Sequence, residues 1–223
     1  MLIYSYVMKE YDMSTEIDSA MDLKIRDISP EDFKKFEGYV TEIFTAMGMD
    51  TTTPSTLDTP KRFLDALYEA TDGYDGDPKS VTAFETECDS PGLCEQSQII
   101  QGPIPFYALC EHHVLPFYGK VYVGYVAGEE IIGLSKLTRL VRVASRRFAV
   151  QERIGKQIAE MLMATIKPQG VGVYIEARHM CMEMRGVRES NALTRTTAWV
   201  GSLADRADLR REFFTSIGMN NHG

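Results

Sequence analysis

From Val171 to Cys181 the side chains alternate strictly, and that alternation constrains the fold more than any other feature. Successive strand residues point to opposite faces, so Val171, Val173, Ile175 and Ala177 share one side, and His179 and Cys181 continue it. An apolar face of this length has to be covered by another layer. The stripe ends in two residues that bind metals and move protons, which places a site at the edge of a core. On an extended strand His179 and Cys181 stand about 6–7 Å apart, so both reach one centre.

A second short motif supplies matching chemistry. Cys110-Glu111-His112-His113 contains a Cys-x-x-His pair, and with Cys181 it offers three good zinc ligands: Cys110, His113 and Cys181. The chain has 4 histidines and 4 cysteines. Three of the histidines and two of the cysteines fall in these two motifs, and His222 lies in the C-terminal tail. Structural zinc sites are usually closed by four protein ligands, whereas catalytic sites keep three and leave a position for water. Cys110 and His113 need a turn or a helical twist to share an ion. Alone, Cys181 reads as a small buried hydrophobe; together the three read as a hydrolytic zinc site. Zinc makes water a usable nucleophile near neutral pH. His112 and His179, each beside an expected ligand, are the natural groups to move protons. Cys88 and Cys94 sit in an acidic loop without a ligand partner and are not assigned to metal.

Length and composition narrow the class. A chain of 223 residues can bury a real core. No apolar run approaches the roughly 20 residues of a membrane span. The start, Met1–Met8, lacks a basic segment, so a signal peptide is not expected. Four cysteines in a Cys/His pattern favour metal use in a reducing compartment, and the cytoplasm is the expected location. The net charge of −8 argues against general nucleic-acid binding. That average hides an asymmetry. Residues 1–118 carry 8 basic against 22 acidic side chains, whereas residues 119–195 carry 13 against 7. A local positive field of this kind favours a small anionic substrate, although two solvated helix faces would give the same count.

The chain divides into an acidic, unpatterned arm (1–28), a helical region (29–96), a sheet-containing domain (97–217) and a short tail (218–223). Ser29 can cap a helix that starts at Pro30 and carries Phe33, Phe36, Val40, Ile43, Phe44 and Met47, with Gly48 to stop it. Thr59-Pro60 opens a second helix. Strands are predicted over Ile99–Tyr107, bent or at an edge because of Pro103 and Pro105, and over Leu115–Val126. Ser135 is expected to cap a helix through about Arg147. A further helix, Gln151–Ile166, carries Ile154, Ile158, Met161, Leu162 and Thr165 on one face. Val171–Cys181 and Leu193–Val200 are the remaining strands. A last helix begins near Asp205 or Asp208 and bears Leu209 and Phe213. This order indicates an α+β domain, an antiparallel sheet with helices on one face.

Gly133-Leu134-Ser135-Lys136-Leu137-Thr138-Arg139 is a second constellation, a strand running into a helix whose first turns carry Ser135, Lys136 and Arg139. Helix N-termini bind phosphate, but the spacing is not that of a P-loop. Arg185 and Arg188 can add cations. Glu152, in isolation, reads as an acidic residue suited to a helix start.

Together these segments resemble the GTP cyclohydrolase I family. The likeness is carried by Phe106-Tyr107-Ala108-Leu109-Cys110-Glu111-His112-His113, Gly133-Leu134-Ser135-Lys136-Leu137, Val150-Gln151-Glu152-Arg153, and His179-Met180-Cys181-Met182 running to Arg185-Gly186-Val187-Arg188. Thr59-Pro60-Lys61-Arg62 adds an N-terminal element. The resemblance covers about residues 30–217.

It implies the tunnelling fold, an antiparallel sheet with two helices packed on one face, preceded here by the helical segment. It implies Zn2+ on Cys110, His113 and Cys181, with His112 and His179 in proton transfer. The implied substrate is GTP: water attacks C8, formate leaves, and 7,8-dihydroneopterin triphosphate forms, the first step of tetrahydrofolate and pterin biosynthesis. Glu152, with Gln151 beside it, matches guanine-side contacts; Ser135, Lys136, Arg139, Arg185 and Arg62 match triphosphate contacts. A homodecamer with active sites between subunits is implied, with no nucleic-acid or membrane partner. Departures from the family pattern are Ala108 for a hydroxyl residue, Asp65 for a basic one, and Asn191-Ala192-Leu193-Thr194 for a stretch richer in Ser and Thr. A deazaguanine nitrile reductase would not use this Cys/His/Cys set. A catalytically silent zinc-bound scaffold or regulatory subunit would have no need of His112, His179 and Glu152, all of which are present.

Overall fold

The computed structural model describes residues 23–77, 83–85 and 98–219. Most of the acidic arm, Cys88, Cys94 and His222 lie outside the described residues. Two helices come first, α1 (Pro30–Ala46) and α2 (Thr59–Ala70). A short strand β1 (Ala83–Glu85) precedes β2 (Gln98–Cys110), β3 (Pro116–Val126) and β4 (Glu130–Ile132). Helix α3 (Leu134–Ser145), the two-residue strand β5 (Phe148–Ala149) and helix α4 (Gln151–Ile166) follow. The chain closes with β6 (Gly170–His179), the helical turn α5 (Met180–Glu183), β7 (Thr194–Gly201), the turn α6 (Ser202–Asp205) and α7 (Ala207–Ser216).

The main sheet has the order β5-β2-β3-β6-β7. Its long pairings are all antiparallel; only the β5 edge runs parallel, over two residues against Leu109 and Cys110. The register puts Val121, Val123 and Tyr125 of β3 beside Ile175, Val173 and Val171 of β6, all on one face and all fully buried. Helices α3 and α4 cover that face. On α4, Ile154, Ile158, Met161, Leu162 and Thr165 are buried. Each fully buried aliphatic side chain contributes about 1.5–3 kcal/mol, so Ile158→Ala should cost about 2–5 kcal/mol. Gly155 faces the sheet, where a Cβ would meet Ala198 and Ile175 at 3.6 Å, ordinary van der Waals contact.

The opposite face is covered in part by α7. Trp199, Phe213 and Phe214 meet edge to face at centroid distances of 5.3–5.8 Å. A Cβ on Gly172 would lie 2.5 Å from Trp199, and one on Gly124 2.7 Å from Phe213, so the small residues make room for this cluster.

Three local expectations are corrected. Ser135 is not the cap of α3: the helix begins at Leu134 after Gly133, which has no side chain to cap with. Cys181 is not on the strand. The last β3–β6 pair is Phe117 with His179; the next position of β3 is Pro116, which has no N–H to continue the ladder. The chain therefore turns into α5, and Cys181 sits on that helical turn. Finally, β2 extends to Cys110, with a register shift between Gln101 and Ile104 at the expected Pro103 bend.

The N-terminal helices pack on each other through Phe44 and Phe63, 5.3 Å apart. Ser29 caps α1 as expected, its Oγ accepting from the Asp32 N–H at 3.1 Å. Val40 is the buried residue of α1, while Tyr39, Ile43 and Met47 are at least half exposed. The last residues of the arm are tied down. Arg26 stacks over Tyr68 at 4.0 Å and donates to Asp75, to the Tyr68 carbonyl and to Thr71. The turn Asp72–Asp75 anchors the helices to the sheet domain, since the Gly73 carbonyl accepts both Nε and Nη2 of buried Arg147.

Candidate active site

The end of β2 and the end of β6 are not adjacent in sequence, but both lie against the start of β3. Phe117 pairs with His179, and Leu109 pairs with Pro116. Between them Cys110-Glu111-His112-His113 forms a tight turn. The Cys110 N–H donates to the Leu115 carbonyl, and the Cys110 carbonyl accepts the N–H groups of His113 and Val114. Val114 closes this turn at φ 56°, a conformation that a β-branched residue adopts only when its surroundings enforce it. This is the turn that the Cys-x-x-His spacing called for.

The result is one cluster. The ligand atoms of Cys110, His113 and Cys181 all lie within 4.8 Å of one another. Cys110 is buried, Cys181 half-buried and His113 exposed, so the group has a closed back and an open front. Two thiols and an imidazole form a soft-to-borderline donor set suited to zinc, with a fourth position left for water. Burial, and then the neighbouring Cys110 thiol, push the Cys181 thiol above its ordinary value; the charge of Arg185 opposes this. A divalent ion would reverse the shift and hold both thiols as thiolates.

His112 and His179 flank the cluster. The Nδ1 atom of His112 lies 3.7 Å from the Cys110 sulfur. His179 stacks flat on Phe117, with centroids 4.6 Å apart and rings 5° from parallel. Burial pushes His179 below the usual imidazole value, opposed by the charges of Glu152 and Glu183. Glu152 is thus close enough to be felt at His179 while its own side chain is exposed on the first turn of α4. Gln151 faces inward instead. It is 1% exposed, and its amide bonds His179 and the backbone of β6 and β7.

Two contacts around the cluster had no sequence signal. Arg153 makes a two-pronged bond to Glu111 at 2.5 and 3.2 Å, pinning the turn and lowering the Glu111 pKa. Phe117 carries no mark in the sequence that separates it from any other core aromatic. Ala108 is buried in the core on β2.

The cationic group lies elsewhere. Ser135 and Lys136 occupy the first turn of α3, with Ser135 exposed. Thr138, on the same helix, accepts from Gln101 of β2 at 3.3 Å. Gln101 precedes Cys110 by nine positions on that strand, roughly 25–30 Å at about 3.3 Å per residue. Within one chain the first turn of α3 is therefore at the far end of the sheet from the cysteines. Arg139 is paired there with Asp77 at 2.6 Å. Arg62 is on the exposed side of α2, paired with Asp58 at 3.1 Å, and Lys61 is held by Asp65 at 2.6 Å. Arg185 stays with the cysteines.

Among the described residues no helix is long and apolar enough to cross a membrane. A solved archaeosine synthase QueF-like protein in its apo form aligns at TM-score 0.38 and 15% identity, over 51% of this chain and 98% of that one. That likeness is too loose to bear on the fold. The sequence comparisons are close. A protein named GTP cyclohydrolase 1 from Campylobacter curvus is 42% identical over 184 residues, covering 82% of this chain and 95% of that protein. One of the same name from Porphyromonas gingivalis is 40% identical over 187 residues, covering 82% and 93%. The profile of the family described as GTP cyclohydrolase I matches residues 36–218, a span that takes in the cysteine-histidine cluster, both flanking histidines, the first turn of α3 and the N-terminal helix α2. The chain belongs to the GTP cyclohydrolase I family.

Proposed function

We propose that this protein is a zinc-dependent GTP cyclohydrolase I that opens the imidazole ring of GTP at C8, releases formate and yields 7,8-dihydroneopterin triphosphate. The observation that carries this reading is the cluster of Cys110, His113 and Cys181 within 4.8 Å, with His112 and His179 against it. Zinc, when bound to these three side chains, supplies a nucleophile at neutral pH by lowering the pKa of water. The protein's own groups do the rest. Glu152 is exposed at the rim; its two carboxyl oxygens accept the N1–H and 2-amino hydrogens of guanine, a pattern adenine does not offer. His112 and His179 take up and return protons as the C8–N bonds break. Cys110, at the end of β2 beside the pinned turn, and Cys181, on the helical turn α5, hold the geometry.

The cations complete the site from another copy of the chain. The first turn of α3 lies farther from the cysteines than one nucleoside triphosphate can span. The triphosphate contacts at Ser135, Lys136 and Arg139, and at Arg62, are therefore assigned to a neighbouring subunit, with Arg185 contributed locally. The exposed Tyr39 and Ile43 of α1, with Met47 just after it, are apolar surface of the kind subunit packing covers. This supports a homo-oligomer, for which the family suggests a decamer. The division into an arm, a helical region and a sheet domain, and a cytoplasmic location suited to free thiols, belong to the same proposal.

Incubation of the zinc-loaded protein with GTP, followed by mild oxidation, tests the reading. Formate and neopterin fluorescence should appear together. Zinc-loaded, assembled protein that yields neither would refute the enzyme and leave the scaffold alternative.

A further inference from the structure

Gln151 begins α4, where a polar side chain at a helix start normally faces water. Here it is 1% exposed and fully engaged. Its amide nitrogen lies 3.2 Å from the Ile175 carbonyl oxygen, 3.1 Å from that of Thr194 and 3.1 Å from Thr196 Oγ1. Two of these three partners are backbone carbonyls, which only accept. The amide cannot be turned over, because its oxygen would then face two carbonyl oxygens in a buried site. The Gln151 oxygen must therefore point at His179, where it lies 2.9 Å from Nε2. An amide oxygen is an acceptor, so His179 Nε2 carries a hydrogen.

We propose that Gln151 is a positioning residue that fixes His179 as the Nε2–H tautomer and so makes Nδ1 the nitrogen that exchanges protons with the substrate. Phe117 completes the clamp by stacking on the ring face at 4.6 Å. One edge and one face of the imidazole are thus held, which leaves Nδ1 as the ring nitrogen for chemistry. The chain of contacts also anchors the histidine to the sheet, since the groups that orient Gln151 belong to β6 and β7. Gln151 thereby departs from the substrate-contact role that its place beside Glu152 suggested. The catalytic part of this inference rests on the GTP cyclohydrolase reading; the tautomer does not.

Two measurements separate these parts. Ring-15N-labelled, full-length, zinc-loaded wild-type protein should show His179 with a protonated, pyrrole-type Nε2 and a pyridine-type Nδ1, assigned by comparison with His179→Ala. The reverse pattern would overturn the proposal whether or not GTP is turned over. Gln151→Met keeps length but offers neither donor nor acceptor. Turnover should fall by between the ~10–100-fold seen for partners that orient a working imidazole and the ~10⁴-fold of a wrong tautomer. The KM for GTP and the zinc content should stay near wild type. Unchanged turnover, or a raised KM at unchanged kcat, would return Gln151 to an ordinary core or substrate contact. If Gln151→Met loses zinc or stability, the wild-type ring spectrum alone decides. Failure of the wild type to release formate would sink the enzyme reading while leaving the tautomer result standing.

Discussion

The two ends of β2 present opposite situations. At the Cys110 end a single chain brings together two thiols, three imidazoles, Gln151 and Glu152 from three segments, and His179, Gln151 and Glu111 are each held by a specific partner. At the Gln101 end the same strand meets the first turn of α3, where Ser135 is exposed and Arg139 rests on Asp77. The first end is built by the fold of one chain. The second presents cations held by the chain's own acids, as though waiting for a stronger anion. In the function proposed above, reaction chemistry and triphosphate recognition are therefore separable, and they would join where copies of the chain meet.

The largest expected effect lies at the cysteine end. Cys110→Ser, His113→Ala or Cys181→Ser should abolish zinc binding and turnover together while the sheet survives. Elemental analysis checks this, and full zinc in Cys181→Ser would remove that ligand. Next, His112→Ala should retain zinc and assembly yet lose formate release by about 10²–10⁴-fold, the usual worth of a general acid or base. Near wild-type turnover would contradict its role. Glu152→Gln replaces an acceptor oxygen with a donor. A lost charged hydrogen bond of about 1.5–3 kcal/mol corresponds to a ~10- to 150-fold drop in kcat/KM at any ionic strength.

The far end should respond more gently and in a different parameter. Arg139→Ala should raise the KM for GTP by about tenfold and leave guanosine binding nearly unchanged, and the wild-type KM should climb with salt as the positive field is screened. Asp77→Asn sharpens the comparison, since releasing Arg139 should lower the KM for GTP a few-fold. Equal losses for GTP and guanosine in Arg139→Ala would make this end a framework element.

The smallest effect belongs to the N-terminal clamp. Arg26 holds the Asp75 carboxyl below its usual range. A depressed folded pKa stabilises above the unfolded value of about 3.9 and loses that contribution as pH falls through the folded value. The pair is partly solvated, so Asp75→Asn should cost well under 1 kcal/mol near pH 7 and nothing in strong acid. Thermal melts at the two pH values check it.

Much of this was legible in the residues. Strict alternation over Val171–Ala177 marked a strand with an apolar face, although Tyr174 on the other face is buried too, against Phe214 of α7. Helical spacing placed Ile154, Ile158, Met161, Leu162 and Thr165 on the covered side of α4. Cys-x-x-His with a distant Cys named three side chains that the fold gathers within 4.8 Å, because few side chains can bind zinc and their spacing in a turn is restricted. All of these are local signals, in which chemistry or periodicity is written along the chain itself.

Other features depended on which segments became neighbours. Cys181 left the strand because Pro116, a residue of another strand, could not extend the ladder beside it. Gln151 turned inward because β6 and β7 set three acceptors around its amide. The first turn of α3 went to the far end of the sheet because the helix lies along β2. Each of these outcomes is fixed by a partner distant in sequence, and no pattern within a single segment carries that information. The sequence by itself determined the main elements and which side chains have the chemistry to bind a metal or move a proton; only the tertiary structure decided which way each of them faces and which of them stand together.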